Sequence, residues 1–195
     1  ADAAALEGAQ LALESPELYK VYVNEQRLDA SRGERWLDPH LRSIQVENVL
    51  KLGENTVRVV ASPFDVHMEL ENIYVRGNFA VEAEQQGFSV RAARPLQLGS
   101  WARQGYPFYY DSVLYEASVD IPKGARGFRI NFPQWVGSVA EALLDGKPLQ
   151  VIAWQPYACE TSAAPGRHVV GIRIVATPRN LFGPFHNPAK PRMRA

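Results

Sequence analysis

The chain has 195 residues, which is enough for one large domain or two small ones, and 46% of them are hydrophobic, as in an ordinary globular protein. Its 21 basic residues balance its 21 acidic ones, so it lacks the basic footprint of a nucleic-acid-binding or membrane-surface protein. No apolar run approaches the roughly 20 residues of a membrane helix, so we expect neither a nucleic acid nor a membrane as partner.

Short strands dominate the predicted elements, in chain order. Residues 3–13 have helix propensity, but the alternation in residues 10–14 favours a strand, and Pro16 would stop a helix. Further runs are rich in β-branched or aromatic residues and bounded by turn residues: 19–23, 56–60, 73–76, 87–92, 113–121, 127–132, 139–144 and 171–175. The pattern predicts an all-β protein, an antiparallel β-sandwich.

An internal repeat divides the chain. Residues 19–28 followed by 50–60 match residues 139–149 followed by 165–175, because each copy has a strand, a turn led by Asn24 or Asp145, and later a glycine before an alternating strand. Asp145-Gly146 is a strong hairpin signal, since a primed turn needs positive φ, and Asn24-Glu25 is a weaker version. We predict two related units, residues 1–78 and 79–195.

The first unit is predicted to be incomplete. Two strands, residues 113–121 and 127–132, precede the second copy of the repeat, but only residues 10–14 precede the first. Either the chain was cut from a longer protein or the missing strands come from elsewhere. An unpaired sheet edge is a template for another chain, so we expect the first unit to self-associate or to be less ordered than the second.

Several motifs carry a family resemblance. Residues 21–24 and 52–57 resemble the VYVNG and GENT pattern of sugar-binding-type sandwiches in glycoside hydrolase family 2 and its relatives, and residues 71–79 resemble a strand that links two such units. Residues 98–110 are similar to the opening GSW-x-x-QGYPFYSG of a second unit, and residues 179–187 to the RNLLGPHHN that follows its last strands.

The resemblance implies a galactose-binding-like fold, which is a β-sandwich of jelly-roll type, and a multidomain glycoside hydrolase as the parent protein. Two departures are evident. The catalytic barrel of such proteins is absent, and the chain ends soon after Asn187, where relatives usually continue.

Candidate catalytic groups are weak. Glu69 with Glu71 and Glu82 with Glu84 alternate on strand-like runs, but such pairs are usually a solvated face, and neither is marked as the dyad that glycoside hydrolysis needs. The lone Cys159 is expected to be a buried or half-buried hydrophobe. We predict no catalytic residue, no metal site and no cofactor.

Aromatic residues are the best binding candidates, because the apolar faces of sugar rings lie well on aromatic planes. The alternative is that these rings fill the end of the sandwich or contact a neighbouring domain. His186 joins them because it lies in one of the motifs that carry the resemblance. The predicted carbohydrate-binding residues are Trp101, Tyr106, Tyr109, Trp135, Trp154, Tyr157 and His186.

Three functions are therefore compared. The first is a non-catalytic ancillary β-sandwich that supports the catalytic domain of a glycoside hydrolase-like parent and binds carbohydrate. The second is a carbohydrate-binding module that acts alone. The third is an enzyme fragment that contributes residues, with His186 and Trp101 as candidates, to a glycosidase active site. A secreted or periplasmic location is favoured, although a single cysteine does not fix the redox compartment.

Overall fold

A computed structural model describes residues 3–69, 71–177 and 180. The chain forms two compact units, Ala1–Pro95 and Leu96–Ala195, and all its paired strands are antiparallel. Within the described ranges the one α-helix is α1, Ala3–Leu6, which is far too short to cross a membrane. The protein is therefore all-β, as predicted.

Among its described residues, unit one has nine strands in three sheets. The sheet orders are β4-β5-β1-β7, β3-β2-β6 and β8-β9. The strands are β1 (Gln10–Glu14), β2 (Lys20–Val23), β3 (Gln26–Arg27), β4 (Glu34–Trp36), β5 (Asp38–Gln45), β6 (Val57–Val60), β7 (Tyr74–Arg76), β8 (Phe79–Ala83) and β9 (Phe88–Ala92).

The core of unit one lies between its two larger sheets. Leu11 and Leu13 of β1 pack in one buried cluster with Val21 and Val23 of β2. In β2 the buried valines alternate with the more exposed Tyr22, as expected for a strand with one face in the core. Two antiparallel sheets that share one apolar cluster give the unit a sandwich-like architecture.

In the part of unit two that the structure describes, residues 96–177 and 180, there are six strands in two sheets. The sheet orders are β10-β15-β12-β13 and β11-β14. The strands are β10 (Ser112–Ile121), β11 (Gly127–Asn131), β12 (Val139–Leu144), β13 (Lys147–Ile152), β14 (Ala158–Ser162) and β15 (Gly166–Val175). Ala140 and Ala142 of β12 are buried against Cys159 of β14, so this core too lies between two sheets.

The two predicted hairpin turns are confirmed. Asn24 and Glu25 have φ of 48° and 66°, and they connect β2 to β3. Asp145 and Gly146 have φ of 49° and 75°, and they connect β12 to β13. Positive φ at both central residues is what a primed two-residue turn requires.

Several strands were not predicted. Residues 34–45 form β4 and β5; their polar residues hide the alternation, although Leu41 and Ile44 are buried. Strand β8 and the short β14 were also not predicted, whereas β13 follows the predicted Asp145-Gly146 turn. In the N-terminal run the strand favoured by the alternation is present as β1, and the short helix α1 precedes it. The division between the units falls after Pro95, and the sequence had suggested residue 78.

Candidate functional site

A groove of about 700 Å³ opens in unit two. Its floor consists of Tyr115 from β10 together with Ile172 and Ile174 from β15. Its walls are the loop that follows β11, residues 133–137, and the segment 98–103 that precedes β10. The described lining is mostly apolar, with a few polar groups at the rim, which is the usual composition of a small-molecule site.

Trp101 is fixed in the wall of this groove. Its side chain is buried, and its indole Nε1 donates a hydrogen bond of 2.6 Å to the hydroxyl of Tyr115. Its ring also meets Tyr109 edge to face, with 5.8 Å between the centroids. The side-chain oxygen of Gln104 accepts from the backbone N–H of Gln97, and its side-chain nitrogen donates to the Gln97 carbonyl. These two bonds close the loop around Trp101. The wall is therefore preorganised.

Tyr106 and Tyr109 lie behind this wall. Both are partly buried against the core, and their rings meet edge to face at 6.3 Å. The Tyr109 hydroxyl donates to the carbonyl of Ser112, and burial raises the pKa of Tyr109. For these two rings the packing alternative describes the contacts better than a sugar platform does.

Trp135 lies at the mouth of the groove and is half-buried. Its ring meets Tyr157 edge to face, with 5.7 Å between the centroids, and the two rings border a second, smaller cavity of about 260 Å³. The loop that carries Trp135 packs closely on β15: a Cβ on Gly137 would lie 2.7 Å from the carbonyl oxygen of Val175. A glycine is therefore required where this loop turns against the strand.

The rim supplies hydrogen-bonding groups. Arg103 and Gln134 are exposed at the groove, and Asn131 ends β11 beside it. Asn180 donates through its amide to the carbonyl of Tyr109 at 2.9 Å. Of the described lining residues, Arg103 is the charged one. Amide and guanidinium groups around apolar walls suit a neutral polyol with both C–H faces and hydroxyls.

The other predicted site residues are placed differently. Trp154 is 78% exposed in the connection between β13 and β14 and does not line the groove, and His186 lies outside the described residues. The structure thus brings Trp101 and Trp135 to one groove and Tyr157 to its neighbour.

No protein-family model matches this chain. A comparison with curated proteins found no match either.

The glutamates and the cysteine that were candidates for catalysis have ordinary structural surroundings. Glu82 and Glu84 are exposed, and both pair with Arg91. Glu69 and Glu71 are exposed as well. Cys159 is buried, as predicted, and burial raises the pKa of its thiol. Among the described residues no three His, Cys, Asp or Glu side chains are grouped so as to hold a metal ion.

Sequence reasoning missed the polar residues of the rim and one ring of the floor. Tyr115 lies on an alternating strand, so its pattern predicts only core packing. Arg103 closely follows Trp101 in the sequence, and Gln134 directly precedes Trp135. This proximity of polar to aromatic residues was the available signal.

Proposed function

We propose that this chain is a non-catalytic ancillary module of a glycoside hydrolase-like protein, and that its second unit binds carbohydrate in the groove between Trp101 and Trp135. The fold that we propose for each unit is a galactose-binding-like sandwich of jelly-roll type, with the first unit lacking a strand. The observation that carries the binding function is the groove itself, which combines aromatic walls, an apolar floor and a polar rim.

The geometry supports a sugar-sized ligand. A volume of about 700 Å³ lies within the range of small-molecule sites and has room for one or two pyranose rings. Trp135 is half-buried, so part of its ring stays accessible while its edge is held against Tyr157. Arg103 and Gln134 stand where ring hydroxyls would project.

The sequence supports the same class of ligand. Motifs over residues 21–24, 52–57 and 98–110 resemble those of sugar-binding-type sandwiches, and Trp101 of the groove lies in the last of them. The first two segments lie in unit one, where residues 21–24 end β2 and begin its turn and residues 52–57 lead into β6. The third segment forms a wall of the groove.

The test is a titration of the protein with a panel of neutral monosaccharides and short oligosaccharides. Binding is monitored through the backbone amide shifts and the tryptophan fluorescence. We expect saturable shifts at residues 99–103 and 134–137. Trp135→Ala should weaken binding about tenfold, because the loss of an aromatic contact of about 1–1.5 kcal/mol corresponds to such a factor.

Trp154→Ala is the matched control. Trp154 is equally a tryptophan of unit two but lies outside the groove and is 78% exposed, so its loss should leave the affinity unchanged within about twofold. Loss of binding in Trp154→Ala with retention in Trp135→Ala would move the site away from the groove. No saturable shift with any sugar of the panel would refute the carbohydrate proposal.

A further inference from the structure

The two units use the same hydrogen bonds around their hairpin turns. In unit one the backbone N–H of Asn24 donates to the carbonyl of Thr56 at 2.9 Å, and the Asn24 side-chain oxygen accepts from the Thr56 N–H. In unit two Asp145 bonds to Val169 in the same two ways. Strand β2 lies between β3 and β6 as β12 lies between β13 and β15.

The preceding residue continues this correspondence. The Asn55 side chain accepts from the Asn24 amide and donates to the carbonyl of Lys51, four residues earlier. The His168 ring contacts the Asp145 carboxylate at 2.7 Å and the carbonyl of Ala164, again four residues earlier. Two different side chains thus hold equivalent positions, which aligns β6 with β15 residue by residue.

The alignment exposes one difference between the units. In unit two β10 pairs with the outer edge of β15 over ten residues, from Ser112 opposite Val175 to Ile121 opposite Gly166. In the described part of unit one, no strand lies beyond β6. Thr56 bonds to β2, so the alternation of an antiparallel pair directs the N–H and C=O groups of Val57 and Val59 away from β2, to the open side.

The missing partner also explains the length of β6. Among the strands, β10 is the one that pairs with residues Gly166–Val169 of β15, because β12 ends at Leu144, opposite Val170. Their equivalents, residues 53–56, lie outside β6, which starts at Val57. Val57 faces the core side of the sheet, opposite the buried Val23, and still is 38% exposed. The edge is therefore uncovered in both its backbone and its apolar side chains.

We propose that the outer edge of β6 binds an extended segment of another polypeptide, which pairs antiparallel with residues 53–60 and carries apolar side chains at alternating positions. Strand β10 shows the chemistry that fits. Its Tyr115 lies opposite Ile172, the equivalent of Val59, and packs on the core, as does Val113 two residues away. An edge strand that gains a partner in this way is β-augmentation.

A second copy of this chain is a poorer occupant. In the register centred on Arg58, the two Arg58 side chains would lie directly opposite each other, which is unfavourable. A partner strand with no positive charge at that position avoids this repulsion.

The probe is a synthetic peptide with the sequence of residues 112–121, titrated to about 5 mM into the isotope-labelled full chain, so that a dissociation constant near 1 mM is detected. We expect amide shifts at residues 53–60 and exchange of the Val57 and Val59 amides slowed about fivefold at the highest peptide concentration, because each gains a strand hydrogen bond.

Two methylated peptides give a matched control that leaves the protein unchanged. The backbone N–H of the residue at position 115 points towards β15 in unit two, so N-methylation there should abolish binding to β6. N-methylation at position 114, whose N–H points the opposite way, should not. In the protein, Val57→Pro should abolish binding and Val57→Ala should retain it, since only proline lacks the N–H.

Three results would overturn the proposal. The first is no shift at residues 53–60 at the highest peptide concentration. The second is equal binding of the two methylated peptides. The third is concentration-dependent dimerisation with the same shifts when no peptide is present, which would make the occupant a second copy.

Discussion

Gly146→Val tests whether the turn geometry stabilises unit two. Gly146 has φ of +75°, and a Cβ built on it would meet no atom within 4 Å. The substitution therefore causes no collision, and its cost is that of placing a β-branched residue in the left-handed region, about 1–2 kcal/mol. Valine also restricts the unfolded chain, which returns about 0.5 kcal/mol. The expected net loss is about 1 kcal/mol.

The assay is thermal unfolding of the variant beside Gly146→Asn, which restricts the unfolded chain comparably but tolerates positive φ. For a unit of about 100 residues, a loss of 1 kcal/mol lowers Tm by about 4–8 °C. The asparagine variant should lie within about 2 °C of the parent protein, since asparagine tolerates the left-handed region. Equal melting temperatures for the two variants would show that this turn is not held at positive φ and would refute the reasoning.

Four further outcomes are expected. The amides of Val57 and Val59 should exchange faster than those of their equivalents Val170 and Ile172, because β10 covers only the latter pair; equal protection in a monomeric sample would mean that another segment covers β6. The Asp145 carboxylate raises the pKa of His168, and the Val169 N–H and the His168 ring lower the pKa of Asp145. The stability that His168 contributes is thus full below its usual pKa and lost as the pH rises through the raised value, while the Asp145 part is present above its usual pKa and lost as the pH falls through the lowered one. His168→Asn introduces the residue that unit one has at the equivalent position, Asn55. In this variant Tm should fall less as the pH rises through the His168 pKa, and an unchanged pH profile would contradict this. Gly137→Ala should lower Tm and disturb the groove loop, since its Cβ would lie 2.7 Å from the carbonyl oxygen of Val175; unchanged amide shifts at residues 133–137 would contradict the close approach. The pure chain should release no product from aryl glycosides, and turnover that one carboxylate substitution abolishes would refute the non-catalytic proposal.

Local chemistry made part of this fold predictable. Asp145-Gly146 and the alternating runs around it specify a hairpin within ten residues, and the structure has it there. Strand β5 was not predictable in the same way, because Arg42 and Ser43 interrupt its apolar pattern, and Ser43 is buried only through its place in the sheet. Its identity as a strand comes from pairing with β1, in which Ala12 lies opposite Ser43, far away in sequence.

The candidate site was predictable in kind but not in membership. Aromatic density between residues 101 and 110 drew attention to the correct segment, yet Tyr106 and Tyr109 pack behind the wall that Trp101 forms. Trp135 and Trp154 have similar sequence surroundings, and only the tertiary structure separates the ring at the groove from the one in solvent. Which ring faces a cavity depends on long-range packing that no local pattern encodes.

The outer edge of β13 has a consequence for the solubility of this chain. Pro148 gives that strand a residue with no N–H to offer, and Lys147 beside it would place a charge against any incoming strand. Strand β6 has no proline, and its charged residue, Arg58, is paired with Glu25. The sheet of unit two is thus protected against lateral growth at β13, while the sheet of unit one can accept a strand at β6. Copies of this chain therefore cannot join β6 of one to β13 of the next, and pairing at β6 does not propagate along that route.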